Sequence, residues 1–352
     1  MNKIICLDAS AFMFNAIYLQ GSMTLLKREG KLNDNTFIAP INYTYFSMII
    51  SCLKRIGIDR EDTIIITIDA RNSFRKAFYP IYKGQRKKIR DKQSHIDWDK
   101  CWADIKKINN QLNESTNWHF LKFDNVYTLD NLLQTKEGKE LIGDDYEDWQ
   151  REKDYGLESD DIQAIVPLVF SDKETIIVTC DKDLYQLKNY DNAKIWSLNL
   201  KKIKSGKGGY ATIKDPLKII ADKVRLGDIS DNIIVDKLHD TELEQRRRRF
   251  IIDLLNLPDW VENEIRVVLE DLPKKEEHFD KLPFQKSLAL RFPDIYKRKN
   301  VVTYQYCMDL QEKREKIKKE KARIKYYEKK GLPVPNKVIK VIDKILKNKE
   351  SK

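Results

Sequence analysis

Nine carboxylates lie where chemistry is possible. Asp8, Asp69, Asp181 and Asp183 follow short β-branched apolar runs, and Glu158, Asp160 and Asp161 open a helical pattern. Asp228 and Asp231 stand three apart in Arg225-Leu-Gly-Asp-Ile-Ser-Asp-Asn232. Singly, an Asp at a strand end is usually a turn or cap residue, and Asp160 is placed to cap its helix. As a set, converging carboxylates would repel and raise one another's pKa values. Hard divalent cations with oxygen ligands relieve that repulsion. Two such cations side by side are an arrangement used for phosphodiester hydrolysis, one activating water and the other stabilising the leaving oxygen.

Basic residues follow Asp69 closely: Arg71, Arg75, Lys76, Lys83, Arg86 and Lys87, with Tyr79 and Tyr82 among them. In a helix, Arg75, Tyr79, Tyr82, Lys83 and Arg86 would share one face, although Pro80 would kink or restart it. Arg and Lys suit phosphates and Tyr suits an unpaired base. An ordinary surface helix with aromatic anchors accounts for the segment equally well when it is taken alone.

These side chains need elements to hold them. Lys3-Ile-Ile-Cys-Leu7, Thr63-Ile-Ile-Ile-Thr-Ile68 and Thr175-Ile-Ile-Val-Thr179 are continuous apolar runs separated by helical pattern, as expected of parallel strands buried on both faces. The crevice outside the carboxyl ends of such strands is where α/β sheets place function. Residues 37–55 and 162–170 supply crossover helices. After Asp231 the pattern turns mainly helical, with a helix expected over 242–257 carrying Arg246-Arg-Arg-Arg249, another over 308–330 and a last over 337–349.

Composition narrows the class. Sixty-six Lys and Arg against 55 Asp and Glu give a net charge of +11 over 352 residues, with 41% hydrophobic and 34% charged residues. Sixteen basic and seven acidic residues lie between Asp309 and Lys352, so nine of the eleven net charges sit in this tail. A polyanionic partner or a solvated helix face both fit that charge. Five scattered cysteines without CxxC spacing argue for a reducing compartment and against a disulfide framework. No signal-peptide core or membrane span is legible. The expectation is a cytoplasmic protein (host cytoplasm if viral), likewise with no membrane partner.

Five motifs in order resemble the flap-endonuclease, or 5′-nuclease, superfamily: Asp8 after a strand; Ile68-Asp69 with the Arg75/Tyr82-Lys83-Gly84 segment; Glu158-Ser-Asp-Asp161; Thr179-Cys-Asp-Lys-Asp183-Leu-Tyr-Gln-Leu187; and Gly227-Asp228-Ile-Ser-Asp231-Asn232. The resemblance covers about residues 1–235. Within the family it is most similar to the T-even phage ribonuclease H type, through Ile96-Asp-Trp-Asp99, Asn192-Ala-Lys-Ile-Trp196 and Lys202-Ile-Lys-Ser-Gly206.

The resemblance implies a PIN-like α/β core, a central mainly parallel sheet flanked by helices, with a helical arch and a smaller helical C-terminal region. The implied organisation is a catalytic domain over 1–225 with the arch at about 71–115, a helical DNA-binding domain over 226–307 and a basic tail over 308–352. The implied activity is a 5′→3′ exonuclease and 5′-flap endonuclease with ribonuclease H activity, using two Mg²⁺ ions, for which Mn²⁺ can substitute, to remove RNA primers and flaps in DNA replication. Asp8, Asp69, Glu158, Asp160, Asp161, Asp181, Asp183, Asp228 and Asp231 take the metal positions, with Asp8, Asp69, Lys83 and Arg75 catalytic. Arg75 and Lys83 would contact phosphate and Tyr82 a base, joined in nucleic-acid binding by Arg71, Arg86, Lys87, Arg246 and Arg247. The partners implied are DNA and RNA–DNA hybrids with 5′ ends or flaps, acted on by a monomer, with single-strand-binding or clamp proteins as further candidates.

One departure matters. The family's glycine-rich hairpin after the Asp-Asn pair is replaced by Ile233-Ile-Val-Asp-Lys-Leu-His239, and without glycine the backbone cannot approach phosphates closely. The expectation is that the Arg246–Arg249 run and the tail substitute, or that an accessory protein positions the enzyme. Two alternatives stand beside this reading: a PIN-type ribonuclease acting on single-stranded RNA, and a non-catalytic nucleic-acid-binding protein with a nuclease fold.

Overall fold

The structure, a computed structural model, describes residues 2–33, 38–58, 61–144, 146–198, 216–236 and 240–273, together with Ile324 and Tyr327. The expected tail helices, the 202–206 stretch and the segment 237–239 lie outside the described residues. By internal contacts the chain forms two units, Met1–Ile17 with Ile41–Phe292, and Tyr18–Pro40 with Pro293–Lys352.

Strand β1 (Ile4–Asp8) leads into helix α1 (Ala9–Arg28), and α2 (Ile41–Ile56) returns to β2 (Thr63–Thr67). Helices α3 (Arg75–Phe78), α4 (Gln85–Asp91) and α5 (Trp98–Ser115) then connect to β3 (His119–Leu121). A two-stranded antiparallel ribbon, β4 (Tyr127–Thr128) with β5 (Asp154–Tyr155), brackets α6 (Leu129–Gln134), α7 (Lys136–Leu141) and α8 (Asp148–Arg151). Next come α9 (Ser159–Val169), β6 (Thr175–Val178), a 3₁₀ helix over Asp183–Asn189 and β7 (Ala193–Trp196). Helices α10 (Pro216–Leu226), α11 (Glu242–Ile252) and α12 (Asp259–Glu270) complete the described chain.

The five-stranded sheet has the order β3-β2-β1-β6-β7 and every pair in it is parallel. Its three central strands are the three apolar runs, with Ile4, Ile5, Cys6 and Leu7 wholly buried. Because side chains alternate across a strand, Ile4, Cys6, Ile65 and Ile177 share one cluster with α9 residues Ile162, Ile165 and Val166. The edge strands β3 and β7 were not legible as strands. They are short, and in β7 Lys194 is exposed beside the buried Ile195, so neither has a continuous apolar run.

Two expected boundaries are corrected. Ile251, Ile252, Val261, Ile265 and Leu269 of α11 and α12 lie in the same hydrophobic cluster as α9, so residues 226–270 are not a separate body. Within the expected arch, α5 buries Cys101, Ile105, Ile108 and Leu112 and packs on α2 as a crossover helix. The part with no buried residue is α4, Gln85–Asp91. The described part of the second unit buries Leu19, Met23 and Leu26, with Leu32 and Ile38 packed against them. No helix among the described residues is long and apolar enough to cross a membrane.

The chain leading to Glu158 is laced tightly between two others. Gly156 N–H donates to Asn72 O at 2.8 Å, Phe74 N–H to Gly156 O at 2.9 Å, and Leu157 N–H to Phe123 O at 3.0 Å. A Cβ on Gly156 would lie 2.1 Å from Phe123 O and 2.6 Å from the Ala70 Cβ. Both neighbours are fixed, so only glycine fits. Gly156→Ala is expected to destabilise the protein by about 2 kcal/mol or more, read as a lowered urea midpoint. An unchanged midpoint would contradict this packing.

Candidate active site

Register brings the first acids together. Asp8 ends β1 and pairs with Thr67, while Leu7 pairs with Val178. Asp69 and Asp181, two and three residues beyond those partner strands, therefore emerge at the same sheet edge. Asp8 accepts from the Ala11 N–H at 3.1 Å, which caps α1, and from the Thr179 hydroxyl at 3.2 Å. Asp69 accepts from the Ser10 hydroxyl at 2.5 Å and from the Ser159 N–H at 2.8 Å, tying α1 to the first turn of α9. Asp181 accepts from the Asp183 N–H at 2.9 Å.

Burial, then Asp69 and Asp181, push Asp8 from an ordinary 3.8 up to about 7. Burial, then Asp181 and Asp8, hold Asp160 well above the usual carboxylate range, with Lys83 only partly offsetting them. Asp8, Asp69, Asp160 and Asp181 thus form a quartet sharing one field. Among the described residues none of the four has a basic side chain bonded to it.

Asp183, Asp228 and Asp231 form a second group, each with a carboxylate oxygen within 4.8 Å of the others'. A tight turn presents the last two. Asp228 and Ile233 bridge antiparallel, and Gly227 sits at φ +77° where a Cβ would lie 2.4 Å from Ile233 O. Asp228 accepts from the Ser230 N–H at 2.8 Å and its hydroxyl at 2.5 Å. Arg86 pairs with Asp231 at 2.7 Å, and the Lys223 ammonium of α10 is bonded to both Asp183 and Asp228. Burial and Asp181 raise Asp183 to about 6, although Lys223 opposes them. Lys223 and the donor Ser10 were not legible in the sequence, since nothing in their spacing marks them, while Ser159 and Thr179 stand inside the ordered motifs without a role assigned to them.

The remaining expected residues build a buried network. Arg75 is 1% exposed and binds Asp161 through both terminal nitrogens, at 2.9 and 2.6 Å. It also reaches Glu158 at 3.4 Å and donates to Ile251 O at 2.8 Å. Burial works against its charge, but Asp161 and Glu158 hold Arg75 well above its ordinary value. Glu158 accepts from Tyr82 at 2.9 Å and Lys83 at 2.8 Å. Against the effect of burial, Lys83 and Arg75 hold Glu158 down at about 2.

Four expectations are corrected here. Arg75 is enclosed by protein partners, so it cannot contact phosphate and acts as a structural ion pair. Tyr82 is buried, its hydroxyl reaching Glu158 and, at 3.4 Å, Asp231, so no base can stack on it. Asp161 is fully buried and spent on Arg75 and the Glu158 N–H at 2.8 Å, which closes a capping box, so it is not placed as a metal ligand. Arg247 bonds Leu141 O at 2.6 Å and Glu244 at 2.9 Å with little of its side chain exposed, so it ties α11 down, whereas Arg246 pairs with Glu140 and stays exposed. Arg248 is buried against Val224 O at 2.9 Å.

Lys83, Arg86, Lys87 and Arg71 stay on the accessible side, Arg71 and Lys87 being exposed. Lys83 sits at φ 56°, a strained conformation for a side-chain-bearing residue. The surroundings fix it: Lys83 N–H donates to Asp231 O at 2.8 Å, Asn232 to Ile81 O at 2.7 Å, and Gln85 to Ile229 O at 3.0 Å and Ser230 O at 2.9 Å. This clasp sets the basic segment against the second acid group.

The donors of both groups are carboxylate oxygens, suited to hard cations such as Mg²⁺ or Mn²⁺. The quartet's field, only partly offset by Lys83, is the observation that fits such an ion. The raised Asp8 and Asp183 bind protons more readily folded than unfolded, so stability falls as pH rises through that window. Glu158, held low, acts in the opposite sense only below its ordinary 4.5. In cation-free buffer the melting temperature should therefore drop between about pH 4.5 and 7, added divalent cation should restore it, and Asp8→Asn should flatten the slope. A melting temperature that rises through this window would contradict the account.

No family model and no curated protein matches the chain. Solved structures of bacteriophage T5 proteins do. A mutant of the T5 5′-exonuclease is 12% identical, covering 77% of this chain and 99% of its own, with a TM-score of 0.43. The T5 D15 flap endonuclease in a pseudo-enzyme–product complex with DNA and metal ions is 16% identical, covering 88% and 98%, with a TM-score of 0.41. The T5 5′-exonuclease with divalent zinc ions bound is 15% identical, covering 89% and 99%, with a TM-score of 0.43. At these identities the functional reading rests on the geometry of the site itself.

Proposed function

We propose that this chain is a divalent-cation-dependent 5′ nuclease that hydrolyses phosphodiesters in DNA and in RNA–DNA hybrids carrying 5′ ends or flaps. The observation that carries the reading is the quartet of Asp8, Asp69, Asp160 and Asp181 at the carboxyl edge of a parallel sheet, with no basic side chain bonded to it among the described residues, beside the second group of Asp183, Asp228 and Asp231. Two Mg²⁺ ions held there would supply an activated water and stabilise the leaving oxygen, with Mn²⁺ able to replace them.

The chain's own residues do the rest. Asp69 is held by neutral donors from α1 and α9, so its geometry is set before any ligand arrives. Lys83, anchored on Glu158 and over the Tyr82 ring at 4.8 Å, has its ammonium at the edge of the cluster, where it can donate to a phosphoryl oxygen. The exposed Arg71 and Lys87 and the half-exposed Arg86 suit the approaching strand. The ordered motifs support the finer reading, a 5′→3′ exonuclease and flap endonuclease that removes RNA primers and flaps during replication. The clasp and the Asp228/Asp231 turn weigh against a minimal PIN-type ribonuclease, and the survival of every acid weighs against a non-catalytic binder.

The test is one 5′-labelled flap substrate carrying an RNA segment, incubated with Mg²⁺ and then with EDTA. The wild type should cut near the junction with Mg²⁺ and not with EDTA. Asp69→Asn, which keeps the hydrogen bond from Ser159, should bind the substrate and leave it uncut. Normal cleavage by that variant would refute the assignment.

A further inference from the structure

The two acid groups are compensated in different ways. Among the described residues, hydroxyls and N–H groups from Ser10, Ser159, Ala11, Thr179 and Asp183 meet Asp8, Asp69 and Asp181, and no basic side chain is bonded to any of the quartet. In the second group every carboxylate already holds a cation from the chain: Lys223 on Asp183 and Asp228, Arg86 on Asp231. Arg86 lies at the surface with its side chain 40% exposed, whereas Lys223 is only 21% exposed and is fixed on α10, five residues before Asp228.

An ammonium bonded to two carboxylates offers them what a divalent ion would, positive charge and a short contact, from the same position. Both cannot be there. Lys223 is held there by two ion pairs, to Asp183 and to Asp228, so a divalent ion can take the position only where the side chain swings off both. It has to move.

We propose that Lys223 is an internal counterion of the Asp183–Asp228–Asp231 group, which a divalent cation must displace to bind there. This rests on the reading of both groups as cation sites. The quartet, with no counterion to expel, loads first and tightly. The second group loads weakly, because breaking two ion pairs is part of each binding event. The displaced ammonium needs an anionic partner, and a substrate phosphate provides one, so cation and substrate favour each other's binding by linkage. In the cation-free protein the same lysine keeps three close carboxylates from driving the Asp228–Ile233 turn apart.

The experiment is a calorimetric titration of the full chain with Mn²⁺ in the absence of nucleic acid, with bound Mn²⁺ counted in parallel by electron paramagnetic resonance. Wild type should show one tight and one weak step. Lys223→Met should tighten the weak step by about tenfold or more and leave the tight one unchanged, while Lys223→Arg should keep the step weak. Lys223→Gln, which retains a donor for the carboxylates, gives the same comparison should Lys223→Met fail to fold without metal. A weak step that is unchanged or weaker in the neutral variants would overturn the counterion role while leaving the cation sites standing. A wild type that takes up no Mn²⁺ would overturn both.

Discussion

Repulsion among seven carboxylates at one end of a parallel sheet is the constraint to which the surrounding structure responds. The strand register brings Asp8, Asp69 and Asp181 out at one sheet edge, so their charges meet there. The fold answers in three ways. Neutral donors orient Asp8 and Asp69 without cancelling their charge. Internal cations neutralise Asp183, Asp228 and Asp231. A third set, Glu158 with Arg75 and Lys83, is paired well enough that its carboxylate stays ionised in a buried place. For the quartet the proposed answer is a divalent cation.

Arg75 shows how the site is coupled to the rest of the molecule. Its guanidinium ties α3 to both carboxylates of the α9 capping box and to a carbonyl at the end of α11. The helix that aims Ser159 at Asp69 and the helices that pack beneath it are therefore held through one buried charge. The clasp between residues 81–86 and 229–232 does the same for the accessible side, keeping Lys83 in a strained backbone conformation beside Asp231. Rigid placement of charge before substrate arrives is what electrostatic catalysis requires.

Much of this was legible in the sequence, and the reasons divide cleanly. The central strands are buried on both faces, so their apolar runs are unbroken, and a carboxylate at the end of such a run has only one sheet edge to go to. That is why Asp8, Asp69, Asp181 and Asp183 could be grouped from their positions alone. Burial of basic residues left no such mark. Arg75 and Tyr82 have the types and spacing of a binding face, but whether such a side chain points outward or into the protein depends on acids 76 to 149 residues away, Glu158, Asp161 and Asp231. Lys223 was invisible because nothing in its own helix pattern marks the Asp183 it meets 40 residues away, β7 because its exposed Lys194 interrupts the apolar pattern, and β3 because it is only three residues long.

The central claim is that the strand-end acids are two cation sites, and anomalous scattering from crystals grown with Mn²⁺ tests it most directly. The account predicts two peaks, one bounded by Asp8, Asp69, Asp160 and Asp181 and one by Asp183, Asp228 and Asp231. The second should appear only at higher Mn²⁺, with the Lys223 side chain displaced from Asp183 and Asp228. Crystals at saturating Mn²⁺ with no peak among the quartet would contradict it.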